Sequence, residues 1–218
     1  MKQSISKKDA LSIIGGLTST SKMPCKSYSL PTLACNTGSK MAKIKGSICS
    51  TCYADKGFYK MYRNTIEPLQ VARLFAIDDD NWVDAFVVAI GEDKYFRWHD
   101  SGDLMSVEHL EKIAQVCELT PHTKHWLPTR EYGIVGAFTC SHKIPKNLII
   151  RLSAMFPDKR VIIPVSLQGE KQIATSNVHT HTATMIHGEA CKAPSQKGEC
   201  RDCRKCWSTK NEISYLMH

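Results

Sequence analysis

No stretch of the chain approaches the roughly 18 consecutive apolar residues that a helix needs to cross a bilayer. The nearest, WVDAFVVAIG at residues 82–91, is short and reads as an amphipathic helix of a water-soluble fold. No secretory leader is expected from MKQSISKKDALSIIGG, which contains no apolar core of signal-peptide length. Together these absences lead us to expect a cytoplasmic protein in a reducing compartment, where ten cysteines do not read as a disulfide framework. Internal repeats and low-complexity linkers are absent too. The 218 residues therefore read as one domain, and 42 % hydrophobic content is ample for one core.

What stands out instead is the placement of the cysteines. The run ACKAPSQKGECRDCRKCW holds Cys191 and then Cys200, Cys203 and Cys206. Its C-x2-C-x2-C spacing can wrap a compact soft metal site and is familiar from 4Fe-4S cubanes. Zinc is the alternative, although zinc sites usually take cysteines in pairs across a longer loop, and unmetallated thiols are a third reading. A second group, Cys35, Cys49 and Cys52, lies far upstream, so one or two clusters are expected to hold both ends of the chain. Residues 23–62, which carry that group, show little periodicity and many breakers, and they read as a cysteine-containing loop that a metal would order. Tyr53, Phe58, Tyr59 and Tyr62 are expected to pack this loop and keep water out of it.

Charge offers a weaker signal. The formal net charge of +8 makes nucleic acid a conceivable partner. Seven thiolates around two cubane cores of about 2+ each would add about 3 negative charges and leave about +5. The basic residues cluster only at Lys40, Lys43 and Lys45 and at Arg201, Arg204 and Lys205, both beside cysteines. Charge compensation for an anionic cluster accounts for those positions better than a nucleic-acid face does. A small-molecule substrate or a redox partner is the expected company, with no membrane, and the oligomeric state is not legible.

Residues 63–187 read as an α/β core and residues 188–218 as a C-terminal metal-binding segment. A short helix is expected near residues 6–14, closed by Gly15 and Gly16. Two scaffold helices follow, one opening near Glu67 with Pro68 in its first turn and one capped near Asp80 with Trp82, Val83, Phe86, Val87 and Ile90 on one face. Strand and helix then alternate. Strands are expected at residues 95–98, 124–128, 148–152 and 161–165, with a fainter one at 183–186. Ser106 caps a helix whose buried stripe includes Leu110, Ile113, Ala114 and Cys117, which places Cys117 in the core, and YGIVGAF forms another.

Strands separated by helices imply parallel pairing, and the chain is short for an eight-stranded barrel. A partial barrel of about six strands, or an open parallel sheet, is expected. Function in such sheets gathers at the carboxyl ends of the strands. The polar residues there are His99, Asp100 and Asp103; Thr129, Arg130 and Glu131; Arg151 and Ser153; Ser166 and Gln168; and His187. His99, Asp100, Asp103, Arg130 and Glu131 are the catalytic candidates, and Ser153 and Ser166 are candidates for holding a cofactor. His99 could equally ligate the upstream cluster, and Arg130 and Glu131 could pair with each other. His179 and His181 alternate in NVHTHTAT and read as surface residues. Cys25 and Cys140 read as spare thiols, with Cys25 the better placed for ligation.

The segments GSICSTCYADKGFY, YFRWHDSGDLMSVEHLEKI and HWLPTREYGIV, with CRDCRKCW and the final His218, resemble the phage-associated gene product 88 family over residues 23–218. That resemblance implies an iron-sulfur protein carried by phages and related elements. A looser likeness is to radical S-adenosylmethionine enzymes, which pair a partial α/β barrel with a three-cysteine cubane whose fourth iron is open. Cys35, Cys49 and Cys52 would supply such a site here, and Cys191, Cys200, Cys203 and Cys206 a second, fully ligated one. The spacing departs from the usual C-x3-C-x2-C loop, being C-x13-C-x2-C, and no Gly-Gly-Glu segment follows the next strand. Two functional classes result. One is a cluster enzyme that binds S-adenosylmethionine or another small molecule at an open iron. The other is a non-enzymatic electron-transfer or structural protein that binds a protein or nucleic-acid partner, with a zinc-stapled binding protein as a third.

Overall fold

The computed structural model describes residues 5–20, 22–181 and 187–217. Its strands are β1 (Thr18–Ser19), β2 (Lys26–Tyr28), β3 (Tyr95–Trp98), β4 (Lys124–Thr129), β5 (Leu148–Ser153), β6 (Ile173–His179), β7 (Glu189–Ala190) and β8 (Ile213–Leu216). They form one sheet in the order β1-β2-β3-β4-β5-β6-β8-β7, and every neighbouring pair is parallel except β1 with β2. The sheet is open, with β1 and β7 as its edges, and it has eight strands instead of about six because two-residue strands finish both edges.

From β2 to β6 the strands stand side by side in chain order. Crossovers between parallel strands are right-handed almost without exception, so such an order sends the connecting helices to one face. On that face α1 (Lys7–Ile13), α5 (Trp82–Ile90), α6 (Val107–Leu119) and α7 (Tyr132–Ser141) share a core with Tyr28, Phe96, Trp98, Leu127, Ile150 and Leu152. Trp82 and Phe86 of α5 pack against Trp98 and Phe96 at ring-centroid distances of 6.0 and 6.1 Å. Ser106 caps α6, accepting from the His109 N–H at 3.1 Å, and Cys117 is fully buried in the core as its helical spacing requires.

Side chains alternate across strands, so the other face carries Ser27, Arg97, Trp126, Arg151 and Ser153. The C-terminal segment covers it. The Trp207 indole N–H donates to Phe96 O at 2.9 Å, and its ring lies 5.3 Å from both Tyr95 and Trp126.

Several expectations need correction. Residues 161–165 are not a strand; Ile162 and Val165 are 86 % and 84 % exposed, and Pro164 cannot donate to a ladder. The strand that follows β5 is β6, IATSNVH, whose Thr, Ser, Asn and His concealed an interior position. His179 is consequently buried, with its Nδ1 2.7 Å from Ser214 Oγ, not a surface residue. Residues 23–62 are not a structureless loop, since they include β2, α2 (Asn36–Ala42) and α3 (Gly57–Met61). The next helix, α4 (Arg63–Ala76), starts before Glu67 and encloses Pro68. The faint strand expected at 183–186 lies outside the described residues.

Candidate metal centre

After β2 the chain runs across the carboxyl ends of its neighbours. His99 N donates to Tyr28 O and Leu30 N to Ser101 O, both at 2.8 Å, which locks residues 28–30 against the HDSGD turn. Gly102 makes that approach achievable: its φ is +78°, and a Cβ there would lie 2.5 Å from Leu30 Cβ.

The first cysteine group is built on this crossing. Cys35 occupies the N-cap of α2 without capping it through its side chain. Glu131, arriving from the end of β4, does so instead, accepting from Thr37 N at 2.6 Å and Thr37 Oγ1 at 2.7 Å. A Cβ on Gly38 would come within 2.8 Å of Cys35 Cβ, 3.5 Å of Cys35 Sγ and 4.0 Å of Cys49 Sγ, so the two thiols are gathered around the one residue without a side chain. A single 3-10 turn, Cys49–Thr51, presents Cys49 and Cys52 together, and the adjoining Ile48 N–H donates to Met155 O at 2.9 Å beyond β5.

The electrostatics are those of buried, neutral thiols. Burial, then Asp103, Cys52, Cys49 and Glu131, push the Cys35 thiol up to about 12. Burial also raises Cys49 and Cys52, while the Arg130 guanidinium pulls both back. Without a metal these thiols stay protonated at neutral pH, and a cationic centre supplies the charge that would make them thiolates. Cys35 and Cys49 at Gly38, with Cys52 near enough to perturb both, are sulfur donors of the soft type.

The strand-end residues divide by what already occupies them. Asp103 accepts from Thr129 Oγ1 at 2.6 Å, Arg130 N at 2.9 Å and Leu104 N at 2.8 Å, and burial raises its carboxyl to about 6. Both Asp103 and Glu131 thus shape the turn around the thiols. Arg130 donates from Nε to Ala154 O at 3.0 Å and holds its charge near Cys49. Asp100 accepts from Tyr59 OH at 2.7 Å on Oδ2, while its buried Oδ1 has no partner among the described residues. His99 sits in the core at φ +52°, its ring 5.3 Å from His109 and 6.4 Å from Trp98, with neither nitrogen partnered among the described residues. Burial lowers its pKa well below the usual imidazole value.

Near the second cysteine group lies Arg97, which no strand-end argument could find because it is inside β3. Its guanidinium lies 4.6 Å from the Trp126 ring centroid, and its ionisable neighbours are Tyr53, Asp100, Tyr215 and Cys206. Tyr53, expected to be packed away, keeps 51 % exposure. Its hydroxyl donates to Asp100 O. Tyr62 is likewise 53 % exposed.

The second group lies in the segment that covers this face. Cys191 follows β7, Cys203 N donates to Cys200 O at 2.9 Å, and Cys206 lies in the 3-10 turn Lys205–Trp207 with its sulfur 3.2 Å from Tyr215 OH. The thiols raise one another: Cys200 feels Cys191 and Cys203, and Cys206, driven by burial to about 11, feels Cys191. Arg151 fastens the segment down, donating from Nη1 to Thr175 O (2.6 Å) and Asn211 O (3.1 Å) and from Nη2 to Ser208 O (2.5 Å) and Lys205 O (3.4 Å).

Of the cofactor candidates, Ser153 does close β5, with its Oγ 3.3 Å from Ser176 Oγ. Ser166 is exposed on the 3-10 turn Val165–Leu167 beside Gly136. His187 contributes a backbone carbonyl to Asn177 Nδ2 at 3.2 Å. Among the described residues, no three His, Cys, Asp or Glu side chains converge as a site for a single metal ion, and no helix is long and apolar enough to cross a membrane.

No match is found among curated proteins or among solved structures. The profile of the gene product 88 family, by contrast, matches residues 2–209, which take in both cysteine groups and every strand through β7. By that match the chain belongs to the gene product 88 family.

Proposed function

We propose that the protein is an iron-sulfur enzyme. Cys35, Cys49 and Cys52 would hold a 4Fe-4S cluster that leaves one iron for a small molecule, with S-adenosylmethionine the leading candidate, and Cys191, Cys200, Cys203 and Cys206 would hold a second cluster. The observation that supports this reading is proximity: Cys35 and Cys49 flank Gly38, Cys52 is near enough to perturb both, and the Arg130 charge is within reach. The sequence spacing C-x2-C-x2-C, familiar from cubanes and unlike the separated cysteine pairs of zinc sites, supports a cluster over zinc. A cluster at the first group would supply one-electron chemistry and an open coordination position. In that reading Glu131 and Asp103 hold α2 and the PTRE turn in place, Arg130 steadies thiolate charge or a ligand carboxylate, and Asp100 Oδ1 offers an acceptor to a bound molecule.

A second reading, in which the clusters carry electrons or brace the fold and the protein acts by binding a protein or nucleic-acid partner, draws on the Tyr95, Trp126 and Trp207 packing beneath the second group. The deciding measurement is iron, acid-labile sulfide and zinc per chain after anaerobic purification, followed by addition of S-adenosylmethionine to the reduced protein. About eight iron and eight sulfide, with a changed resonance spectrum on addition, is the expected result. The same content with no spectral response to small molecules would favour the second reading. Zinc without sulfide would overturn both and leave a zinc-stapled binding protein.

A further inference from the structure

We propose that the cleft at the amino ends of β2 and β3 binds a phosphate monoester. The cleft has a volume of about 480 Å³, within the range of small-molecule sites, and its lining includes Thr20, Met23, Lys26, Asp93, Lys94 and Arg204. Three separate segments make its walls, and each is tied down. The β1–β2 hairpin supplies Thr20, Met23 and Lys26, with Ser19 paired to Lys26 across it. Asp93 and Lys94 lead into β3, and their carbonyls accept from Thr123 Oγ1 at 2.6 Å and from Lys124 N at 2.9 Å. Arg204 comes from the C-terminal segment; its guanidinium lies 5.2 Å from the Tyr95 ring centroid and donates from Nη1 to Cys203 O at 2.9 Å. Cys200 N donates to Lys22 O at 2.8 Å, which holds that segment against the hairpin. The cleft is thus built before any ligand arrives.

Its lining carries more positive charge than it neutralises. Lys26 Nζ meets Asp93 Oδ2 at 3.0 Å, but Lys94 and Arg204 have no carboxylate partner among the described residues. Three cations against one carboxylate leave a net charge of +2. Thr20 Oγ1 is buried in the same lining with no partner among the described residues, which leaves its hydroxyl able to donate to an anion. Behind Met23 stands a further cation: Arg97 Nη1 donates to Met23 Sδ at 3.3 Å, and Arg97 Nε has no partner among the described residues. A cleft lined by one sign of charge draws counter-ions into it. The amount of charge selects the class of anion. A phosphate monoester carries about −1.5 to −2 at neutral pH, together with three acceptor oxygens, and so matches the lining, whereas a carboxylate or a phosphodiester brings a single charge. The lysines act on it as point charges, and Asp93 opposes it by like charge while holding Lys26 in place.

The proposal is independent of what the cysteines bind, and its test reads anion binding alone. Calorimetry on the anaerobically purified protein measures binding of inorganic phosphate, adenosine monophosphate, adenosine, acetate and a single-stranded oligonucleotide without terminal phosphates. Inorganic phosphate and adenosine monophosphate should compete for one site, with adenosine and acetate weaker by about tenfold or more. Losing one charge-assisted hydrogen bond corresponds to about the same factor, so Lys94→Gln and Lys26→Gln should each weaken phosphate binding about tenfold. Lys171→Gln, at an exposed position ahead of β6, should match the wild type. Asp93→Asn removes a like charge and should tighten phosphate binding on the order of threefold, a gain that a misfolded variant cannot produce. The proposal is overturned by an absence of saturable phosphate binding, by binding unchanged in both Lys94→Gln and Lys26→Gln, by acetate as tight as phosphate, or by adenosine monophosphate failing to compete. Displacement of phosphate by the oligonucleotide at lower concentration than by adenosine monophosphate would also overturn it and assign the cleft to a nucleic-acid backbone.

Discussion

Replacing Arg151 with methionine should detach the C-terminal cysteine segment. The guanidinium is fully buried, and four backbone carbonyls accept from it, at 2.5, 2.6, 3.1 and 3.4 Å. Three of those carbonyls, from Lys205, Ser208 and Asn211, belong to the stretch that carries Cys206 and Trp207. A hydrogen bond to a charged group is worth about 1.5–3 kcal/mol, and a buried carbonyl left without a partner costs about 1–3 kcal/mol. Against this, methionine removes a buried charge and its desolvation penalty. The two shortest bonds dominate the balance, and a net loss of about 3 kcal/mol is expected. For a chain of this size that corresponds to a fall in Tm of about 6–12 °C. Urea and thermal melts of the metal-free protein measure the stability term, and metal retention in the holoprotein reads the site. Arg151→Lys should recover little, because a lysine cannot present the planar fork that spans carbonyls on two segments. A Tm within about 2 °C of wild type with unchanged metal retention would refute the view that Arg151 holds the segment in place.

Gly38→Ala places a Cβ 2.8 Å from Cys35 Cβ, so α2 or Cys35 must shift; a cost of about 1–3 kcal/mol and selective loss of metal from the first group are expected, measured by urea melts and metal analysis. Glu131→Ala removes both acceptors that cap Thr37 and should destabilise the protein by about 1–3 kcal/mol, with α2 amides exchanging faster with deuterium. Acidification should destabilise the metal-free chain. Burial lowers His109 and His125 to about 3, so the folded state binds fewer protons than the unfolded one, and stability present above pH 6.5 is lost as pH falls toward 3. Asp103 works the other way, its carboxyl raised from 3.8 to about 6, with stability present below 3.8 and lost as pH rises through 6. Each histidine costs roughly 2 kcal/mol by pH 5, so the two outweigh one carboxyl and the urea midpoint should drop between pH 7 and pH 5; a rise would contradict the buried neutral histidines.

Much of this was legible in the chain. The local signals succeeded where one interaction decides the outcome: Ser106 as a cap, Gly91 as a stop at φ +55°, the α6 stripe that buries Cys117, and β3 at residues 95–98. They failed where burial came from both sides. β6 is interior despite IATSNVH, because Asn177 and Ser214 satisfy each other across to β8 and the strand needs no apolar pattern there. The apolar VIIPV lies outside the sheet for the converse reason, since Pro164 denies it a ladder.

What the sequence determined by itself was the alternation of strand and helix, the parallel sheet that follows from it, the two runs of clustered cysteine and the polar residues at strand ends, all of which arise from near neighbours in the chain. Only the tertiary structure decided which of those residues meet. It brought Glu131 to Thr37 across 94 positions, set Arg97 near Tyr53, Asp100 and Cys206, tied Lys22 to Cys200 through a backbone hydrogen bond, and turned His99 into the core. The physical reason is that a monotonic parallel order commits one face of the sheet to its helices, leaving the other to be covered by chain from both termini. Contacts between segments so far apart are set by which surfaces remain uncovered, and no local pattern records that.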